Sequence, residues 1–201
     1  MFVKPPSILK KLFSDLVWDI QTSNKEIYLT FDDGPNPKIT AQVIKILRDF
    51  NVKATFFCVG ENVEKYPDTF KQIISNGHGV GNHCYNHLNG WKTSNADYFN
   101  NIEKADELIN SKLFRPPYGR IGLSQIKPLA KKYSIIMWSV LTYDYDINVS
   151  KEQSLKYSIK KTKPGSIVVF HDSLKSEEKL LYILPLYIKH FLDKGYTFNL
   201  L

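Results

Sequence analysis

Long apolar runs are missing from this chain: nowhere do about 20 apolar residues follow one another, so no segment reads as a membrane-spanning helix. The N-terminus from Met1 to Lys11 has neither an unbroken apolar stretch nor a small-residue cleavage site. No secretory leader is read there, and on sequence alone the cytoplasm is favoured. Cysteine is scarce. Cys58 and Cys84 permit one disulfide and demand none, and both fall in apolar, motif-rich segments where buried thiols are expected. Basic runs are few as well: the net charge is +7, but the 27 Lys and Arg are scattered, and no basic run alternates with stacking aromatics. That excludes a nucleic-acid partner and leaves a mildly cationic surface.

What remains is an ordinary globular composition, 43% hydrophobic and 23% charged over 201 residues, enough for one substantial core and short for two. Apolar spacing predicts helices over about 39–50, from Val63 to Ile74 with Gly77 as a left-handed cap, around Ile102–Ile109, near 121–132, from Ser150 to about 162, and over about 177–194 with a bend or restart at Pro185. Ser150 and Gln153 form a capping-box pattern. Between the helices lie short β-branched or aromatic runs at 26–31, 54–59, 79–81, 113–115, 134–138, 167–171 and 196–200. Seven strands alternating with helices predict parallel β/α units in one α/β domain. A complete eight-fold barrel takes about 250 residues, so a distorted or incomplete (β/α) barrel of about seven parallel strands is expected, ahead of an open doubly wound sheet. The domain spans 26–201, with residues 1–25 as an N-terminal extension packing on the barrel.

Several polar residues fall at or just past the ends of these strands: Asp32-Asp33, His83, His87, Arg115, Asp144 and His171. In a β/α barrel those ends share the face on which active sites are built. Two adjacent carboxylates desolvate and repel unless a cation or unequal protonation separates them; a metal on one and a proton on the other satisfies both. The His83-x-x-x-His87 spacing, on a helical turn, aims two imidazoles the same way. Two histidines with one carboxylate and an open fourth position form the ligand set of a hydrolytic zinc site. In Arg115-Pro116-Pro117-Tyr118-Gly119, two prolines stiffen the backbone beside a guanidinium suited to pair a carboxylate. His78 and His190 read as surface or packing residues.

Together, Thr30-Phe31-Asp32-Asp33-Gly34-Pro35, His83-x-x-x-His87, Arg115-Pro116-Pro117-Tyr118-Gly119, Trp138 through Asp146 and Val169-Phe170-His171 resemble, in order and spacing, the five motifs of the polysaccharide deacetylases, the NodB-homology family of carbohydrate esterases. The resemblance runs from about Glu26 to Leu201. It implies a divalent metal, zinc with cobalt or nickel as alternatives, on Asp33, His83 and His87. It also implies Asp32 as catalytic base, Arg115 as its tether, the Tyr118 amide at the oxyanion and His171 as catalytic acid. Pro117, Trp138, Asp144 and Tyr145 are expected to line the substrate groove.

The fourth motif departs from pattern. Where many members read Asp-x-x-Asp-Trp, this chain has Leu141-Thr142-Tyr143-Asp144-Tyr145, which leaves open whether Asp144 or Asp146 tunes His171. The implied reaction is removal of N-acetyl groups from N-acetylglucosamine-containing glycans, peptidoglycan or chitin-like, an amide hydrolysis with an acetylated carbohydrate as partner. The alternatives are an O-acetyl esterase of the acetylxylan type, a small-amide hydrolase, or a catalytically silent carbohydrate-binding protein.

Overall fold

In the computed structural model, residues 14–201 are described, so the N-terminal reading of Met1–Lys11 and the first half of the expected extension lie outside the described residues. The remainder of that extension joins the sheet through a two-residue strand, β1 (Leu16–Val17), which the short apolar pair did not announce. From there the chain alternates strands and helices. β2 (Glu26–Asp32) leads to α1 (Ile39–Asp49), β3 (Thr55–Cys58), α2 (Gly60–Lys65), α3 (Pro67–Ser75) and β4 (Gly79–Asn82). Then come α4 (Asn95–Ile109), β5 (Leu113–Phe114), α5 (Leu123–Ala130), β6 (Ser134–Ile136) and β7 (Val140–Leu141). The chain closes with α6 (Lys151–Lys161), β8 (Ser166–His171), α7 (Glu177–Asp193) and β9 (Thr197–Phe198).

Every pairing between these nine strands is parallel, with β2 at the centre between β8 on one side and β3 and β9 on the other. The sheet curls because β6 and β7 are one extended run interrupted only at Met137–Ser139. Its first part pairs with β5 and its last part with β8. This is a distorted (β/α) barrel, with more strands than the seven expected, since β1 and β7 are each too short to leave a period-two signature.

Three helical expectations change. The segment from Val63 to Ile74 is two helices, broken where Pro67 starts α3 after a non-helical Tyr66, as the restriction on a residue preceding proline requires. α7 runs unbroken through Pro185 because its buried face, from Leu180 through Phe191, is held in the core. His83–His87 lies on no helical turn but in the loop after β4. Gly77 is left-handed, and Ser150 and Gln153 cap α6 reciprocally.

The interior is built by the strands' inward residues. Phe31 stacks on Phe56 at 4.9 Å and on Phe170 at 5.8 Å, tying β2 to both neighbours. Fully buried strand residues on β2, β3 and β8 read as continuous apolar runs because helices cover the sheet. Cys58 and Cys84 are buried free thiols. Among the described residues, no helix is long and apolar enough to cross a membrane.

Candidate active site

β2 delivers the first carboxylate. Thr30 and Asp32, two apart, share one face of the strand. Into that face comes Arg115 from the end of β5, fully buried: its Nη1 donates to Asp32 Oδ1 at 2.6 Å and Thr30 Oγ1 at 2.7 Å. Its Nε and Nη2 donate to the carbonyls of Ile136 and Met137, and its plane lies 4.0 Å from the Phe57 ring centroid. A buried charge is tolerable only when paired and hydrogen-bonded all round, which is the case here. One oxygen of Asp32 is thereby occupied, and the residue lines a cleft of about 370 Å³.

Strict alternation would point Asp33 away from Asp32. Instead Asp33 has φ of 80°, a left-handed conformation that breaks the strand and turns the second carboxylate into the same cleft. The turn is held on both flanks: Asn62 Nδ2 donates to the Asp33 carbonyl at 2.8 Å, and the Gly34 amide donates to Asp172 Oδ1 at 3.1 Å. Asp172 is fully buried, takes a second bond from Thr40 Oγ1 at 2.5 Å and donates its own amide to the Asp32 carbonyl. A Cβ on Gly34 would lie 2.1 Å from Asp172 Oδ2, so only glycine fits. Burial, with the Asp33 charge, pushes Asp172 up to about 7 against the bonds from Thr40 and Gly34. In the sequence Asp172 is visible only as the neighbour of His171, and its hold on Gly34 and Thr40 was not expected.

His83 is buried just past β4. Its Nδ1 donates to the Arg115 carbonyl at 2.8 Å, which leaves Nε2 as a lone-pair donor facing the cleft. Burial drops His83 to about 4, outweighing the pull of Asp32 and Asp33, so the ring is neutral. His87 reaches the same point by a loop in which Cys84 and His87 are both left-handed. Asn101 of α4 fastens that loop by accepting from the amides of Tyr85 and Asn86. The helical turn expected from the spacing is thus replaced by a pinned loop with the same convergence.

Asp33 Oδ1 lies 3.8 Å from His83 Nε2 and 3.3 Å from His87 Nε2. Two ligands about 2.1 Å from a tetrahedral ion stand about 3.4 Å apart, so this trio fits a divalent cation. Burial works against ionisation of Asp33, but the His87 hydrogen bond and the charges of His171 and His83 hold it well below the usual carboxylate range.

His171 closes β8, whose register sets it beside Asp32. Asp144 grips it twice, Oδ1 accepting from the ring Nδ1 and Oδ2 from the backbone amide, both at 2.8 Å. Burial lowers His171, yet Asp144, with Asp33 and Asp32, raises it to about 9. Of the two carboxylates left open by the fourth motif, Asp144 is the one that contacts His171. Asp144 is fully buried behind the ring and not in the groove where it was expected. Pro117 too is buried in the Pro117–Gly119 turn, away from the cleft wall.

Trp138 and Tyr145 do line the cleft, as do Tyr118, whose ring edge meets His87 at 4.6 Å, and Leu141. Tyr145 meets His171 edge-on at 4.8 Å. Arg120, Ser173 and Lys175 complete the wall and were not expected. A larger hollow of about 710 Å³ adjoins Gly119 beneath Trp18, Trp91 and Leu123. Its described lining carries no ionisable group.

Comparisons with known proteins agree with this geometry. A peptidoglycan-N-acetylglucosamine deacetylase of Bacillus cereus is 39% identical over 74% of this chain and 56% of its own length. Against that relative, the chain spans little more than half. A second protein of the same name from Bacillus cereus is 32% identical over 91% of this chain and 89% of its own. A crystal structure of a peptidoglycan N-acetylglucosamine deacetylase in complex with 4-naphthalen-1-yl-N-oxidanyl-benzamide superposes with a TM-score of 0.90. It is 33% identical and covers 96% of this chain and 94% of that one. The family model described as polysaccharide deacetylase matches residues 19–135, more than half the chain, and with these relatives it shows that this protein belongs to the polysaccharide deacetylase family.

Proposed function

We infer that this protein hydrolyses the N-acetyl groups of N-acetylglucosamine residues in a glycan of the peptidoglycan or chitin type. One observation carries the reading. The Asp33, His83 and His87 trio stands beside the Arg115-held Asp32, while His171 enters the same cleft with its Nδ1 engaged by Asp144.

Asp33, His83 and His87 would hold a divalent cation, zinc or else cobalt or nickel, which when bound supplies Lewis acidity toward the acyl oxygen and lowers the pKa of water. Asp32 is the base: Arg115 occupies its Oδ1, leaving Oδ2 to accept the proton of the attacking water. The Tyr118 amide, on its proline-stiffened turn, donates to the developing oxyanion. An amine leaves only once its nitrogen is protonated. His171 carries that proton at neutral pH because Asp144 stabilises the imidazolium, and it delivers the proton from Nε2, the nitrogen that Asp144 leaves free. The Asp144 contact with His171 supports an active enzyme over a silent binding protein, the reading that rested on the altered fourth motif.

The test is acetate release from N-acetylglucosamine oligomers and peptidoglycan, compared with O-acetylated xylan. Release from the first two, abolished by a chelator and restored by zinc or cobalt, is expected; release from xylan alone would assign the site to ester hydrolysis.

A further inference from the structure

Large hydrophobic side chains are most exposed at one end of this molecule. Among the described residues, Trp91, Tyr118, Leu123, Ile147 and Leu174 are between 61% and 90% exposed, and no other large hydrophobic side chain exceeds 50%. Trp91 lies in the loop after β4, Tyr118 and Leu123 follow β5, Ile147 follows β7 and Leu174 follows β8. All five therefore stand on the face where the C-terminal ends of the strands open, around the catalytic cleft. β4 and β5 are neighbours, as are β7 and β8, with β3 and β2 between the two pairs. The exposed side chains thus form two groups, one on each side of the cleft.

Both groups carry cations. Lys92 follows Trp91, Arg120 lies between Tyr118 and Leu123, and Lys175 follows Leu174. None of the three enters an ion pair with a described carboxylate. The loops at 83–94, 115–122 and 172–176 hold no exposed carboxylate. In the loop at 142–150, Asp146 accepts from the amide and Nδ2 of its neighbour Asn148. Lys179 donates to the Asp146 carbonyl, which ties the Ile147 loop to the start of α7, beside the Leu174 loop. Trp91 Nε1 donates to the Ile121 carbonyl at 2.9 Å, so the indole can enter an apolar phase without stranding its donor.

Three of the five, Leu123, Ile147 and Leu174, are aliphatic and offer a sugar neither a stacking ring nor a hydrogen bond. Separate tips on either side of an open cleft do not make the continuous packed core of a protein interface either. Apolar tips with cations set among them match a lipid surface, where the tips enter the acyl boundary and Lys and Arg meet anionic headgroups. The net charge of +7 draws the protein the same way.

We propose that this rim docks the catalytic face on an anionic lipid bilayer, with Trp91, Leu123, Ile147 and Leu174 entering the interface and Lys92, Arg120 and Lys175 meeting the headgroup phosphates. Docked in this way, the cleft opens onto the headgroup layer. This docking is independent of the reaction in the cleft, so it can fail without touching the deacetylase reading.

The experiment is co-sedimentation of the full chain with vesicles of phosphatidylglycerol and phosphatidylcholine, against vesicles of phosphatidylcholine alone. Binding to the anionic vesicles is expected, weakening as salt is raised. Leu123→Ser and Leu174→Ser should each weaken it about tenfold, the size of one apolar side chain withdrawn from the interface. Arg120→Gln and Lys175→Gln should each weaken it about fivefold, the size of one cation near an anionic surface. Ile74→Ser, at the other end of the sheet, should leave binding unchanged. Urea midpoints of the two serine variants on the rim should match wild type, since both leucines are exposed. Equal binding to both vesicles, no binding to either, or anionic-vesicle binding that the four rim variants leave intact would overturn the proposal. So would rim variants that lower retention on an insoluble N-acetylglucosamine polymer, or that abolish a concentration-dependent dimer, while vesicle binding stays the same; the first would assign the rim to the glycan and the second to another copy of the chain.

Discussion

Replacing Asp144 by Asn keeps the shape of the side chain and removes the charge that sustains His171. The His171 ring is only 13% exposed, so solvent screens this pair weakly. Asp144 is the leading cause that lifts His171 from 6.5 to about 9, a difference worth about 3 kcal/mol in favour of the imidazolium. At pH 8, a group titrating at about 9 is about 90% protonated, and one titrating near 6.5 about 3%. The variant should therefore lose about 30-fold in turnover there, and more if burial carries His171 below 6.5.

The assay is initial acetate release from an N-acetylglucosamine oligomer across the range from about pH 6 to 10 with saturating metal. The wild-type rate should fall only as pH rises through about 9, while the variant falls above about 6.5, the two converging at the acid end. The folded pKa is raised, so the pair's contribution to stability is full below about pH 6.5 and is lost as pH rises through about 9. Urea midpoints should accordingly differ most at low pH. An alkaline limb that stays in place in the variant, with only its height reduced, would refute the role given to Asp144.

Asp33→Ala should lose bound metal and activity together, whereas Asp32→Asn should retain metal by elemental analysis and lose turnover by about 10²–10⁴-fold; near wild-type rates in the latter would reassign the base. Arg115→Met leaves Asp32 buried without its partner and should cost about 3–5 kcal/mol in urea unfolding. Asp172→Ala strips the Gly34 amide and the Thr40 hydroxyl of their acceptor; a loss of about 1–3 kcal/mol is expected, with metal affinity weakened about tenfold because the turn carrying Asp33 loosens. Asp172→Asn, which keeps an acceptor for Gly34, should recover most of the metal affinity in a competition titration.

The sequence by itself determined the parallel β/α class, the placing of polar residues at strand exits, and the identity of the Asp33, His83, His87 and His171 candidates. Each of those rests on local information: period, turn chemistry and motif spacing. Only the tertiary structure decided how the pieces meet. The two-residue strands β1 and β7 are strands because neighbours supply their hydrogen bonds. His87 reaches the trio by a loop pinned from α4, through Asn101, and not by helical periodicity. Asp144 lies 27 residues from His171 and Asp172 lies 138 from Gly34, so no spacing rule could join them. The sheet register that sets β2 against β8 and β7 against β8 brings them together, and registers are set by packing across the whole domain.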